Sequence, residues 1–199
     1  MSINQQNSKK ITRQMNNQKL SDYIFFYPDA MEVETCNQIM NRYDKNAEWS
    51  KSTFTTKYEN TGTSKVAMDE FWIGEPLPNY KDIKETFDYC VGDYTEYFSR
   101  ITSTEYTDFR INRYKEGGFM QSHIDNIHHS HGQKTGYPHL TSLIFLNDDY
   151  EGGDFVLCGD KYIEKIQGSA IVFPSNFMFP HEVLEVTKGK RFSIMTWVM

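Results

Sequence analysis

Hydrophobic and polar positions follow one rhythm up to about Thr107 and another beyond it. An apolar run from Tyr23 to Tyr27 reads as a strand, and Pro28-Asp29 is a turn signal. After it, Met31, Cys36, Ile39 and Met40 fall on one side of a short helix over about 31–42. The polar stretch "SKSTFTTKYENTGTSK" carries little pattern. "VAMDEFWI" reads as a strand closed by "GEPLPN", and residues 80–100 fit a helix with Ile83, Phe87, Cys90 or Val91, Tyr94 and Phe98 near helical spacing.

From Thr107 the period shortens. "DFRINRY", "FMQSHI", "HLTSLIFL", "DFVLC", "KYIEKI", "SAIVFP", "HEVLEV" and "RFSIMTWV" are strand candidates, and Gly, Asp, Asn or Pro clusters separate most of them. So many short strands in one stretch predict a sandwich or jelly roll, with the earlier helices on an outer face. The fold class expected is therefore α+β with a mostly β core, built mainly from residues 105–199.

Composition narrows this picture. A chain of 199 residues can bury a core without disulfides, and one domain over 20–199 is expected after a polar tail, 1–19. Cys36, Cys90 and Cys158 are odd in number and far apart, which suggests reduced thiols and a cytoplasmic setting. The N-terminus lacks the apolar segment of a secretory signal, and no apolar run is long enough for a bilayer, so no membrane partner is expected. A net charge of −6 argues against a broad nucleic-acid footprint.

Four of the six histidines lie in "GGFMQSHIDNIHHSHG". His123 and Asp125 are two apart on an expected strand and so share a face. A buried carboxylate needs a partner, and a metal would supply one. His181, opening another expected strand, is the best third ligand. Two imidazoles and a carboxylate with open positions suit a non-haem Fe(II) oxygenase, although an H-x-D pair alone is more often a hydrogen-bonded pair. His128, His129 and His131 share no regular face and read as a solvated loop, and His139 reads as a rim residue or one that supports a ligand from behind. Downstream, Arg191 and Ser193 share a strand face, and a guanidinium with a hydroxyl makes a receptor for a carboxylate. A surface Arg/Ser pair has the same spacing.

Together, "RYKEGGFMQSHID" and "FPHEVLEVTKGKRFSIMTW" resemble the iron- and 2-oxoglutarate-dependent dioxygenases of the prolyl hydroxylase type. "LIFLNDDYEGGDFVL" and "GSAIVFPSNFMFPHEV" resemble the strands between the family's ligands, so the likeness covers about residues 105–198. The resemblance implies a double-stranded β-helix holding Fe(II) on His123, Asp125 and His181. It also implies 2-oxoglutarate on Arg191, Tyr114 and Ser193, and ascorbate as a candidate reductant. The implied reaction hydroxylates a C–H bond, with proline in a peptide or protein as the first choice of substrate. Another amino-acid side chain or a free small molecule comes next, and a non-catalytic metal-binding jelly roll used as an interaction module is the remaining alternative. Asn126 and Trp197 are substrate-side candidates, and the 126–139 loop, with Gly132 and Gly136 as candidate hinges, is a candidate rim or lid.

Overall fold

The structure is a computed structural model that describes residues 19–52, 65–102, 105–126 and 137–199. Most of the expected tail, the weakly patterned stretch 53–64, and His128, His129, His131, Gly132 and Gly136 lie outside the described residues. After a short 3-10 turn at Leu20–Tyr23, the first half contains β1 (Phe25–Tyr27), α1 (Val33–Asn46), β2 (Ser50–Lys51), β3 (Val66–Ala67), β4 (Asp69–Ile73) and α2 (Tyr80–Tyr97). The second half begins with β5 (Phe109–Tyr114), β6 (Phe119–His123), β7 (Leu140–Phe145), β8 (Glu151–Gly152) and β9 (Phe155–Leu157). It ends with β10 (Lys161–Tyr162), β11 (Ala170–Pro174), β12 (His181–Val183), β13 (Val186–Lys188) and β14 (Arg191–Val198).

Two antiparallel sheets face each other. The larger has the order β1-β11-β7-β14-β5-β4-β2 and the smaller β10-β9-β12-β6-β3, with β13-β8 as a separate ribbon. This is the expected double-stranded β-helix, although its sheets also recruit the first half of the chain. β1 pairs with β11 at one edge of the larger sheet, and β4 pairs with β5 toward the other. "VAMDEFWI" is not one strand, because the chain crosses from the smaller sheet to the larger at buried Met68. "HEVLEV" likewise divides between β12 and β13.

Alternation along the large sheet sorts side chains into two cores. Ile111, Ile144, Val172 and Ile194 face outward, where Cys36 and Ile39 of α1 and Ile83, Phe87, Cys90 and Val91 of α2 cover them. Tyr114, Leu143, Phe173 and Met195 face inward, toward Met120, Phe155 and Val183 of the smaller sheet. Both faces of β14 are thus covered, and all eight of its residues are buried. The Tyr27 hydroxyl ties β1 to α2 by donating to the Cys90 carbonyl at 3.0 Å and the Asp93 carboxylate at 2.9 Å. No described helix is long and apolar enough to cross a membrane.

Gly168 joins the helical layer to the sheet. Its carbonyl accepts from the Met31 N–H at 2.9 Å, and its N–H donates to the Phe145 carbonyl at 2.8 Å. With φ at +82°, it occupies the left-handed region, and a Cβ there would strike the Met31 carbonyl. Gly168→Ala should therefore cost more than the ~1 kcal/mol of an ordinary glycine conformational penalty. Equilibrium urea unfolding checks this, and an unchanged midpoint would rule out the proposed clash.

An ionic network closes the edge of the large sheet on its helix side. The Arg113 guanidinium donates to Asp69 at 2.8 Å and to Asp44 at 3.0 Å; Lys51 and Lys115 also reach Asp69, and Lys190 reaches Asp44. Burial raises the Asp69 pKa, but hydrogen bonds from Lys51, Arg113 and Lys115 outweigh it and hold the group down at about 2, from 3.8. A depressed carboxylate stabilises the fold above its unfolded pKa and loses that contribution as pH falls through the folded one. About 2 kcal/mol should therefore disappear between roughly pH 4 and pH 2. In Asp69→Asn this part of the acid slope should vanish from urea-unfolding curves; an unaltered slope would assign it elsewhere.

Candidate active site

His123 closes β6 and His181 opens β12, and the two are direct cross-strand partners with ring centroids 4.3 Å apart. The Nδ1 of His123 lies 2.9 Å from the Gln121 carbonyl, and that of His181 lies 3.2 Å from the Phe179 carbonyl. Only a protonated Nδ1 can donate there, so the network assigns the lone pair of each ring to Nε2. Both Nε2 atoms turn toward Asp125, at 3.5 Å from Oδ1 for His123 and 3.4 Å from Oδ2 for His181. One ligand atom from each of the three residues lies within 4.8 Å of the other two.

Asp125 arrives by a different route from the strand parity expected. β6 ends at His123, and the chain then bends. The Asn126 N–H donates to the Ser175 carbonyl at 2.9 Å, and its side-chain amide donates to the Pro138 carbonyl at 3.0 Å. Thr141, on β7, donates to Asp125 Oδ2 at 2.7 Å and lies 2.8 Å from the Ser175 hydroxyl. Asn126 therefore fixes the bend that carries Asp125, and Thr141 fixes the carboxylate. Burial raises the Asp125 pKa, but the adjacent His181 and His123 rings and the Thr141 hydroxyl leave it below the usual carboxylate range. Burial lowers His181 to about 4, so near neutral pH the pair is an ionised carboxylate beside a neutral imidazole. Those are the protonation states a metal requires.

The larger sheet supplies the opposite wall. Arg191 pairs with Tyr114 across β14 and β5, and Ser193 with Asn112. Arg191 is only 1 % exposed. Its Nη1 donates to the Ser193 hydroxyl at 3.0 Å, while Nε and Nη2 have no hydrogen-bond partner among the described residues. Its guanidinium carbon lies 5.1 Å from the Tyr114 ring centroid and 5.5 Å from that of Phe145. The same cavity is lined by His123, Asp125, His181, Tyr114, Arg191 and Ser193. A buried cation with two unused donor atoms is costly unless an anion joins it. Burial raises the Tyr114 pKa, keeping its phenol protonated as a donor. The donor set thus fits a divalent metal at one wall and a carboxylate at the other.

Trp197 is 1 % exposed in the inner core, 6.2 Å from Trp72 between ring centroids and outside the cavity lining. His139 is exposed, and its backbone pairs with Val198 and Ser175. Sequence reasoning missed Thr141, Arg110 and Asn112. The last two lie four and two residues before Tyr114, and strand parity could have placed them on its face.

Two facing antiparallel sheets with a two-histidine, one-carboxylate trio between them define the class: a double-stranded β-helix with a facial-triad donor set. Residues 109–199, a little under half of the chain, match the 2OG-Fe(II) oxygenase superfamily. Over 93 residues it is 38% identical to a PKHD-type hydroxylase of Thermosynechococcus vestitus, covering 44% of this chain and 41% of that protein. A PKHD-type hydroxylase of Caulobacter vibrioides is 35% identical over 96 residues, again covering 44% and 41% of the two chains. The matched segments thus span about two fifths of these relatives' lengths. Among solved structures, a Pseudomonas putida prolyl-4-hydroxylase superposes with a TM-score of 0.70 at 16% identity, covering 90% of this chain and 95% of the other. A Trichoplax adhaerens prolyl hydroxylase in complex with a hypoxia inducible factor peptide fragment gives 0.67 at 20%, covering 90% and 84%. At these identities the structural likeness is one of fold.

Proposed function

We propose that the protein is an Fe(II)- and 2-oxoglutarate-dependent hydroxylase whose substrate is a proline-containing segment of a peptide or protein. The observation that carries this reading is the enclosed Arg191 guanidinium, with Nε and Nη2 unpartnered among the described residues, in the cavity that also holds the trio. The names of the PKHD-type and prolyl hydroxylase relatives support the choice of a peptidyl substrate.

His123, Asp125 and His181 would hold the metal, and Arg191, Ser193 and Tyr114 the distal carboxylate of 2-oxoglutarate. Bound iron and 2-oxoglutarate together supply the oxidising power to insert oxygen into a C–H bond, with carbon dioxide and succinate as co-products. The chain's own residues orient and enclose. The Gln121 and Phe179 carbonyls aim the two imidazoles, Thr141 holds the Asp125 carboxylate, and the apolar wall around Phe155 and Leu143 excludes water. Asn126 shapes the approach to the trio. Trp197, being fully buried, would act on the substrate through Arg110 and Trp72, which its ring meets. Ascorbate is proposed as reductant and the cytoplasm as location, the latter supported by the free Cys36, Cys90 and Cys158 thiols.

The test is anaerobic loading with Fe(II) and 2-oxoglutarate, then exposure to O₂ with pools of proline-containing peptides, with and without ascorbate. Succinate release matched by a product one oxygen atom heavier is expected. If every proline peptide stays untouched while a free amino acid is hydroxylated, the peptidyl assignment fails. If no succinate forms with any substrate, the hydroxylase assignment fails too.

A further inference from the structure

Arg110 is a second guanidinium lining the same cavity, and the reaction proposed above leaves its charge without a partner in the substrate. It stands on the same face of β5 as Asn112 and Tyr114, with Met195 and Trp72 as its cross-strand neighbours. Four residues, or roughly 13 Å of strand, separate it from the Tyr114–Arg191 row. The two cations therefore mark different ends of one polar floor.

The surroundings of Arg110 hold it in place without satisfying it. Its guanidinium carbon lies 5.6 Å from the Trp72 ring centroid and 5.1 Å from that of Trp197. Glu70 Oε2 is 3.6 Å from Nη1, an ion-pair contact beyond hydrogen-bonding length. The buried Nε has no hydrogen-bond partner among the described residues. Glu70 thus occupies the Nη1 corner of the fork and leaves the Nε–Nη2 edge for another acceptor. That edge fits a carboxylate through two parallel hydrogen bonds. Trp72, 37% exposed, places this end of the floor toward solvent, whereas Arg191 is sealed inside. The enclosed cation thus suits a small co-substrate, and the outer one suits a group that arrives with a larger molecule.

We infer that Arg110 is a specificity-determining residue that receives a carboxylate carried by the substrate close to the oxidised carbon. The inference rests on the hydroxylase reading. In a peptide this carboxylate belongs either to an Asp or Glu beside the target residue or to the C-terminus of the chain. Arg110 is a positioning residue: it sets how the substrate lies, and the trio remains the oxidising centre.

The experiment measures binding before turnover. Protein loaded anaerobically with Mn(II) and 2-oxoglutarate is offered three pools of proline peptides. One has Asp or Glu flanks and an amidated C-terminus, and one has Asn or Gln flanks and an amidated C-terminus. The third has Asn or Gln flanks and a free C-terminal carboxylate next to proline. One acid-bearing pool should be retained about 30-fold better than the neutral amidated pool, and which one identifies the carboxylate's source. Arg110→Gln should erase that preference, and Arg110→Lys should restore part of it, with Mn(II) and 2-oxoglutarate binding unchanged in both. Equal retention of all pools, retention of none, or a uniform loss across pools in Arg110→Gln would overturn the inference. The hydroxylase reading is scored separately by succinate release on admitting O₂. Acid preference without succinate leaves the Arg110 assignment standing and removes the reaction.

Discussion

An Arg191→Ala protein is expected to bind Mn(II) as the parent does while losing 2-oxoglutarate affinity by about 30-fold to several thousand-fold. The range corresponds to about 2–5 kcal/mol for removing one partner of an enclosed, hydrogen-bonded charge pair. Arg191 is 1 % exposed and uses one of its terminal nitrogens on Ser193, so an incoming carboxylate would meet Nε and Nη2 with little water to compete. Arg191→Met sharpens the test, because it removes the charge and keeps most of the apolar stem. Replacing a buried charge by a well-packed apolar residue is commonly neutral or stabilising by about 1–4 kcal/mol. The melting temperature of the ligand-free Arg191→Met protein should therefore hold or rise, while 2-oxoglutarate no longer raises it. An arginine whose role was to stabilise the fold would give the opposite pattern, a lower melting temperature with the 2-oxoglutarate response intact. The response is read by the absorption band that forms when 2-oxoglutarate meets Fe(II) under anaerobic conditions.

Long, regular elements were legible in the sequence because their periods survive packing. α2 buries Ile83, Phe87, Cys90, Val91 and Tyr94 at the spacings read from the chain. β14 is long enough that parity alone places Arg191, Ser193 and Met195 on the cavity face. The same rule gave the right neighbours for the wrong reason at His123 and Asp125. The strand stops between them, and one bond each from the Asn126 backbone and side chain, with a hydroxyl from Thr141, hold the carboxylate in place. Thr141 and Ser175 are distant in sequence from the pair, and no local pattern names them.

The polar floor of the cavity was hidden for another reason. In "RINRY" the alternation resembles an amphipathic strand with its polar side in water. Here Arg110, Asn112 and Tyr114 face a cavity, while Ile111 and Arg113 lie on the helix side, Arg113 neutralised by Asp44 and Asp69. Both sides are buried, so polarity could not tell them apart. The crossing at Met68 was equally silent, since an apolar run reads alike whether it stays in one sheet or changes to the other.

His181→Ala should abolish stoichiometric Mn(II) binding. A substitution in the outer shell of a metal site commonly costs 10- to ~100-fold in affinity, and losing one of three protein ligands should exceed that. The argument rests on direction as well as distance. The Phe179 carbonyl occupies the Nδ1 side of the ring and turns Nε2 toward Asp125, and cross-strand pairing fixes His123 opposite. Without His181 the remaining ligands are one imidazole and one carboxylate, and Thr141 would still hold the latter. His181 also packs against Phe173 and Phe155, with ring centroids 5.1 and 5.6 Å away, so the substitution opens a gap and should lower the melting temperature. Stability and metal binding must therefore be read on the same sample. A cooperative unfolding transition with no Mn(II) uptake by electron paramagnetic resonance is the expected result. A folded His181→Ala protein that takes up one equivalent of Mn(II) with the parent's affinity would remove His181 from the metal site.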